Sequence, residues 1–151
     1  MRRLLAALLL LAVMPLSALE LFRTTAQMTA KTPVIVHARL DSWRSDAENP
    51  YVLYLEMQAF DVFRGNVPAV FTVRLFTGAK QFTAGFPLYE GSELLLYLSP
   101  AGDAYRLVSP GMGWNAVAVT DEGRVLQRPV TGYPTLVGRV KLEELRALIA
   151  K

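Results

Sequence analysis

The chain has 151 residues, of which 52% are hydrophobic and 19% charged, with a formal net charge of +3. It has no cysteine and one histidine, which excludes disulfide staples, thiolate zinc sites and cysteine nucleophiles together. The length suits one domain.

The chain opens "MRRLLAALLLLAVMPLSALE". Arg2 and Arg3 precede an apolar run from Leu4 to Met14, and Pro15, Ser17 and Ala18 follow it. A basic start, a short apolar stretch and a small-residue exit are the three parts of a secretory signal peptide. Residues 1–18 are therefore expected to be a signal peptide cleaved after Ala18, and residues 19–151 to be the mature domain. The apolar run is shorter than the roughly 20 residues a spanning helix needs. The alternative is an uncleaved anchor, because Leu16 stands where a small residue is preferred. No cysteine follows the run to accept a lipid. Cleavage would remove Arg2 and Arg3 and no acidic residue, leaving 14 basic against 13 acidic residues, a net charge of +1. So balanced a chain carries no electrostatic footprint for nucleic acid. A periplasmic or secreted place in a bacterial envelope is expected, with no stable membrane insertion after cleavage.

"LELFRTTAQMTAKTP", Leu19 to Pro33, is weakly patterned and reads as a short helix or an arm. In "VIVHARL", Val34, Val36, Ala38 and Leu40 alternate with Ile35, His37 and Arg39, the period of a strand. "DSWRSDAENP" reads as a polar loop closed by Pro50. "YVLYLEMQAFDVF", Tyr51 to Phe63, is a long β-rich run whose alternation slips near Gln58–Ala59, predicting a bulge or bend. After the "RGNVP" turn, Phe71, Val73 and Leu75 alternate with Val70, Thr72 and Arg74.

Thr77 to Gly91 reads as a loop. "SELLLYL" is apolar on both faces and has strand length, which predicts a strand covered on both sides. "YRLVS", "WNAVAV" and "RVLQRPV" supply further short strands around the "PAGDA" and "TDEG" turns. The tail alone has helical spacing. Leu142, Leu145, Leu148 and Ile149 fall on one face of a helix expected over residues 140–150. Six or seven short strands predict a mainly β fold. The long bent second strand favours a small closed β-barrel, with the C-terminal α-helix packed on it.

The order of these pieces resembles an uncharacterised group of exported bacterial domains. The residues that carry the resemblance are Val62, Phe63, Arg64 and Gly65, then Phe86, Glu90, Gly91 and Leu94 to Leu98, then Gly113 and Asp121 to Gly123. That group is similar to the OB-fold of netrin modules and of the tissue inhibitors of metalloproteinases, which implies an OB-like barrel. The resemblance spans about Thr32 to Val130. Its motifs are turns and a strand start, so they bear on fold. The inhibitors chelate their target's zinc through an N-terminal cysteine. This chain has none, and that mechanism does not transfer to it.

No constellation of residues points to catalysis. His37 has Asp41, Ser42, Ser45 and Asp46 near it in sequence, but no "G-x-S-x-G" elbow occurs, and His37 reads as a strand residue on the polar face. Asp41, Asp46, Glu48 and Asn49 crowd one loop without the order of a calcium-binding loop, so no metal and no cofactor is expected. The expected function is that of an exported, non-enzymatic binding domain whose partner is an envelope protein or polymer. An exported hydrolase-type enzyme, or a protease inhibitor working without the cysteine-dependent mechanism, is the alternative. Trp43, Arg44 and Trp114 are the candidate binding residues. They lie in a polar loop and beside two glycines, where an exposed tryptophan would serve as an anchor.

Overall fold

A computed structural model describes residues 22–78 and 84–151. The expected signal peptide, residues 1–18, and part of the loop between Thr77 and Gly91 lie outside the described residues.

Helix α1 spans Thr25–Lys31. Its start is capped reciprocally: the Gln27 N–H donates to Thr24 Oγ1 (3.1 Å), and the Arg23 N–H donates to Gln27 Oε1 (3.0 Å). Seven strands follow, β1 (Val34–Ser45), β2 (Val52–Arg64), β3 (Val70–Phe76), β4 (Glu93–Ala101), β5 (Ala104–Leu107), β6 (Trp114–Thr120) and β7 (Gly123–Leu126). Helix α2 spans Leu142–Ile149. The fold is mainly β, and the expected C-terminal helix is present.

The strands form one sheet in the order β1-β2-β3-β5-β4-β6-β7, and β1 also pairs with β4. Five strands, β1-β2-β3-β5-β4, therefore close a ring of pairings. All the pairings are antiparallel except β3–β5. The ring needs strong coiling, and β2 supplies it. Between His37↔Asp61 and Ala38↔Ala59 the register shifts by one residue, which leaves Phe60 as a bulge. This is where the alternation slips in the sequence.

Two apolar cores lie on the two sides of β1 and β4. Leu94, Leu96 and Leu98 point into the ring with Val34, Val36, Leu40, Leu55 and Val73. Leu95 and Tyr97 point outward, where Met28 of α1 and Leu142, Leu145 and Ile149 of α2 cover them. The doubly apolar "LLLYL" run is thus covered on both faces. Arg64 holds α1 in place by donating to the Thr29 and Thr32 carbonyls. The next residue, Gly65, has a φ of +77°, and a Cβ there would lie 2.4 Å from the Pro33 carbonyl oxygen, so the turn after β2 requires glycine.

The polar stretch from Asp41 departs from expectation. Residues 41–45 continue β1; Asp41 falls at a register shift, and residues 42–45 pair with Leu53 to Glu56 of β2. The loop begins only at Asp46, whose carboxylate accepts the Glu48 and Asn49 N–H groups. The hairpin ladder, rather than side-chain burial, makes 41–45 a strand, and polar composition conceals such a strand.

Candidate functional site

Ile35 and His37 are alternate residues on the outer face of β1, as Glu93 and Leu95 are on β4. The helices cover Ile35 and Leu95 completely. At His37 that cover stops short, and a cleft of about 490 Å³ opens. Its walls come from three places. Phe60, Asp61 and Phe63 belong to the bulged end of β2. Glu122, Gly123 and Arg124 belong to the β6–β7 turn. Lys141, Leu142 and Arg146 belong to the start of α2.

His37 is only 4% exposed, which corrects its expected place on the polar face. The strand alternation is right, but Phe60 of the β2 bulge stands edge-on against the ring and Glu93 of β4 holds its Nε2. The His37 Nε2 lies 2.9 Å from Glu93 Oε2. Glu93 in turn accepts two bonds from Arg124, Nε at 2.7 Å and NH2 at 3.2 Å. Arg124 foremost holds the Glu93 carboxyl below the usual carboxylate range, with the His37 hydrogen bond adding to it. Burial pushes the His37 imidazole below its ordinary value, and the hydrogen bond and charge of Glu93 oppose that shift without cancelling it. At neutral pH the cleft therefore holds a neutral imidazole donating Nε2–H to an ionised carboxylate, with Nδ1 left as the ring's acceptor.

A second ion pair stands at the rim. Arg146 Nε lies 2.6 Å from Asp61 Oδ2, and NH2 lies 3.0 Å from Oδ1. This pair ties α2 to β2. Phe60 meets the His37 ring edge-on at 5.2 Å, and Arg39 lies over Phe60 at 5.7 Å. Phe60, Phe63 and Leu142 give the cleft an apolar floor, Arg124 and Arg146 each hold a carboxylate, and Glu122, Lys141 and Glu143 line it outside those pairs. No serine, threonine or cysteine among the described residues lines it. Among the described residues, no three metal-ligating side chains converge.

The three expected binding residues part company. Trp43 is 45% exposed and lines a shallow recess with Arg44, whose guanidinium lies 4.4 Å over the Tyr54 ring. Trp114 is 6% exposed and belongs to the ring core, so it is not the exposed anchor expected of it. It stands opposite Leu96 in the β4–β6 pairing and shares its inward face. Phe86 meets its ring at 5.1 Å, and Arg128 covers it at 4.3 Å. The flanking Gly113 serves packing, since a Cβ there would lie 2.5 Å from the Ser109 carbonyl oxygen. Sequence reasoning passed over Glu93, Arg124, Asp61 and Phe60. The available signal was the single histidine, His37, and Glu93, an acid at the head of the doubly apolar "LLLYL" run.

No protein-family model matches the chain, and no curated protein is significantly similar to it.

Proposed function

We propose that the chain is an exported, non-enzymatic binding domain of the bacterial envelope, and that its ligand or partner enters the cleft beside His37. The observation that carries this reading is the make-up of the cleft. It combines an apolar floor with a few fixed polar groups, the usual constitution of a binding site. Two of its carboxylates, Glu93 and Asp61, are held by arginines, and among the described residues no hydroxyl or thiol nucleophile lines it. The depressed Glu93 and His37 values favour a charge state that does not change near neutrality, which suits recognition better than proton transfer. The ring of five strands, with its single parallel closure, is read as a small OB-like barrel of the kind found in netrin modules and the metalloproteinase inhibitors. That likeness supports a rigid scaffold for the cleft, and it brings no inhibitory mechanism with it.

The reading is tested by placing a photo-crosslinking residue at Phe60 and, as a control, at the exposed Val137, in protein expressed in the exporting cell. A discrete adduct formed from position 60 and absent from position 137 is expected. Adducts at both positions or at neither overturn the placement of the site. Turnover of an envelope substrate by the purified protein overturns the non-enzymatic reading.

A further inference from the structure

A second feature lies away from the cleft and shares no residue with it. The β-register brings Arg44 of β1, Tyr54 of β2 and Arg74 of β3 into direct line. Directly opposed residues share a sheet face. Val73 of β3 is level with Tyr105 of β5 in the parallel pairing, so Arg106 stands beside Arg74. Ser99 of β4 is the partner of Arg106, and the Arg106 Nε donates to its hydroxyl at 3.3 Å. One row thus crosses five strands: Arg44, Tyr54, Arg74, Arg106, Ser99. It lies on the outer face, because the alternate residues Leu55, Val73 and Leu75 fill the ring.

All three arginines are exposed. Among the described residues, none of them is within ion-pair distance of a carboxylate. Arg74 and Arg106 wall a cleft of about 460 Å³ over a floor that includes Leu75, Phe76 and Leu107, and among the described residues its lining is apolar or basic apart from Ser99. Arg39, Arg124 and Arg146, by contrast, each hold a carboxylate. In a chain whose expected mature charge is only +1, three aligned arginines that hold no carboxylate in an ion pair, with Arg74 feeling Asp46 only through space, call for negative charge from outside.

We infer that this row is a docking site for a linear, carboxylate-bearing polysaccharide. The cations form a line, with roughly 10 Å between Arg44 and Arg74 and roughly 5 Å between Arg74 and Arg106 from strand spacing. A line meets repeating charges along a chain, whereas a single anion would need the cations to converge. The guanidinium fork matches a carboxylate in two parallel bonds. Tyr54 lies between Arg44 and Arg74 with Arg44 over its ring, Phe76 adds an exposed aromatic face two residues beyond Arg74, and Ser99 adds a hydroxyl at the end of the row, as sugar rings and their hydroxyls require. Glu56 and Asp46 stand beside the row on the same hairpin. They penalise a densely charged polymer, such as a duplex with about one charge per 1.7 Å, more than a sparsely charged one.

The test is calorimetric titration of the purified protein with hexagalacturonate at 50 and 200 mM salt. Maltohexaose, long-chain polyphosphate, and vesicles of phosphatidylcholine and phosphatidylglycerol (3:1) serve as comparison probes. Saturable binding of hexagalacturonate is expected, weakened at the higher salt and absent with maltohexaose. The R44Q/R74Q/R106Q variant should lose at least tenfold in affinity, and Phe60→Ala, in the other cleft, should leave affinity unchanged. If the triple variant melts early, Arg74→Gln alone is measured, with a loss of at least threefold expected. Absence of binding at 50 mM salt, affinity indifferent to the arginine substitutions, or a preference for polyphosphate or for the vesicles overturns the proposal.

Discussion

Glu93 stands between two partners of unequal strength: Arg124 grips its carboxylate with two bonds, and His37 holds the same Oε2 at 2.9 Å from the buried side. Glu93 and His37 lie on adjacent strands, diagonally offset, since Glu93 opposes Arg39 in the β1–β4 register. The cleft at the end of α2 exists because the helix cover ends over this pair.

The pair sets a dependence of stability on pH. The His37 imidazole is pushed below its ordinary value of 6.5 by burial. Between its folded and unfolded values the unfolded chain binds the extra proton, so acid favours unfolding. The contribution of His37 is complete above about pH 6.5 and declines as the pH falls below it. Glu93, held below its ordinary 4.5, adds a second loss below about pH 4.5. Thermal unfolding followed from pH 8 down to about pH 2 should show the melting temperature falling in two stages, and His37→Gln should flatten the upper one. A curve for His37→Gln parallel to that of the unsubstituted protein would overturn the assignment.

The two tryptophans should answer oppositely to truncation. Trp114→Ala empties a site inside the ring between Phe86 and Arg128 and should cost about 3–5 kcal/mol in urea unfolding. Trp43→Ala removes a half-exposed ring from the hairpin arm and should stay within about 0.5–1 kcal/mol. Equal effects would mean that the inward face of β6 is misassigned.

Much of the ring was legible before any coordinates. The alternation in β1 and β3, the slip in β2 and the doubly apolar "LLLYL" run are all direct prints of burial on a pleated strand. The leucine stripe of α2 is likewise a print of its packing. What escaped depends on partners remote in sequence. Residues 41–45 are polar and become strand only through the ladder with β2. His37 reads as solvent-facing until Phe60, at the bulge of β2, and Glu93, more than fifty residues later on β4, close against it. Trp114 beside Gly113 reads equally as a ligand platform and as a close-packed core residue, and only the proximity of the Ser109 carbonyl decides for packing. The cleft draws on β2, β7 and α2 together, and no local pattern announces it.

Helix α2 should be an integral part of the fold. Leu145 is fully buried against the outward side of β4. Leu145→Asp places an unpaired carboxylate there and should destabilise by about 3 kcal/mol or more. The conservative Leu145→Met should cost under about 1.5 kcal/mol. Unchanged melting of Leu145→Asp would show that the helix does not hold the outer core.

Export is tested by mass. Arg2, Arg3 and the apolar run through Met14 predict removal of residues 1–18. Protein recovered from the periplasm or medium should have the intact mass of a chain that begins at Leu19. A mass that retains Met1 to Ala18 would support the anchored alternative.

The electrostatic order of the cleft is open to direct reading, because His37 is the only histidine in the chain and its imidazole proton resonances titrate without overlap. Glu93 raises the His37 value through its hydrogen bond and its charge, while Arg124 lowers it. Glu93→Gln removes a raising influence, so the titration should move to lower pH than in the unsubstituted protein. Arg124→Gln removes a lowering influence. It also leaves His37 as the nearer partner of an ionised Glu93, so the titration should move to higher pH. The expected sequence of midpoints is Glu93→Gln lowest, the unsubstituted protein between, and Arg124→Gln highest. Both substitutions sit at the edge of the outer core and spare the ring interior, so each variant should remain folded through the neutral range. If the two midpoints reverse, Arg124 does not control the carboxylate, and the neutral imidazole must be explained by burial alone.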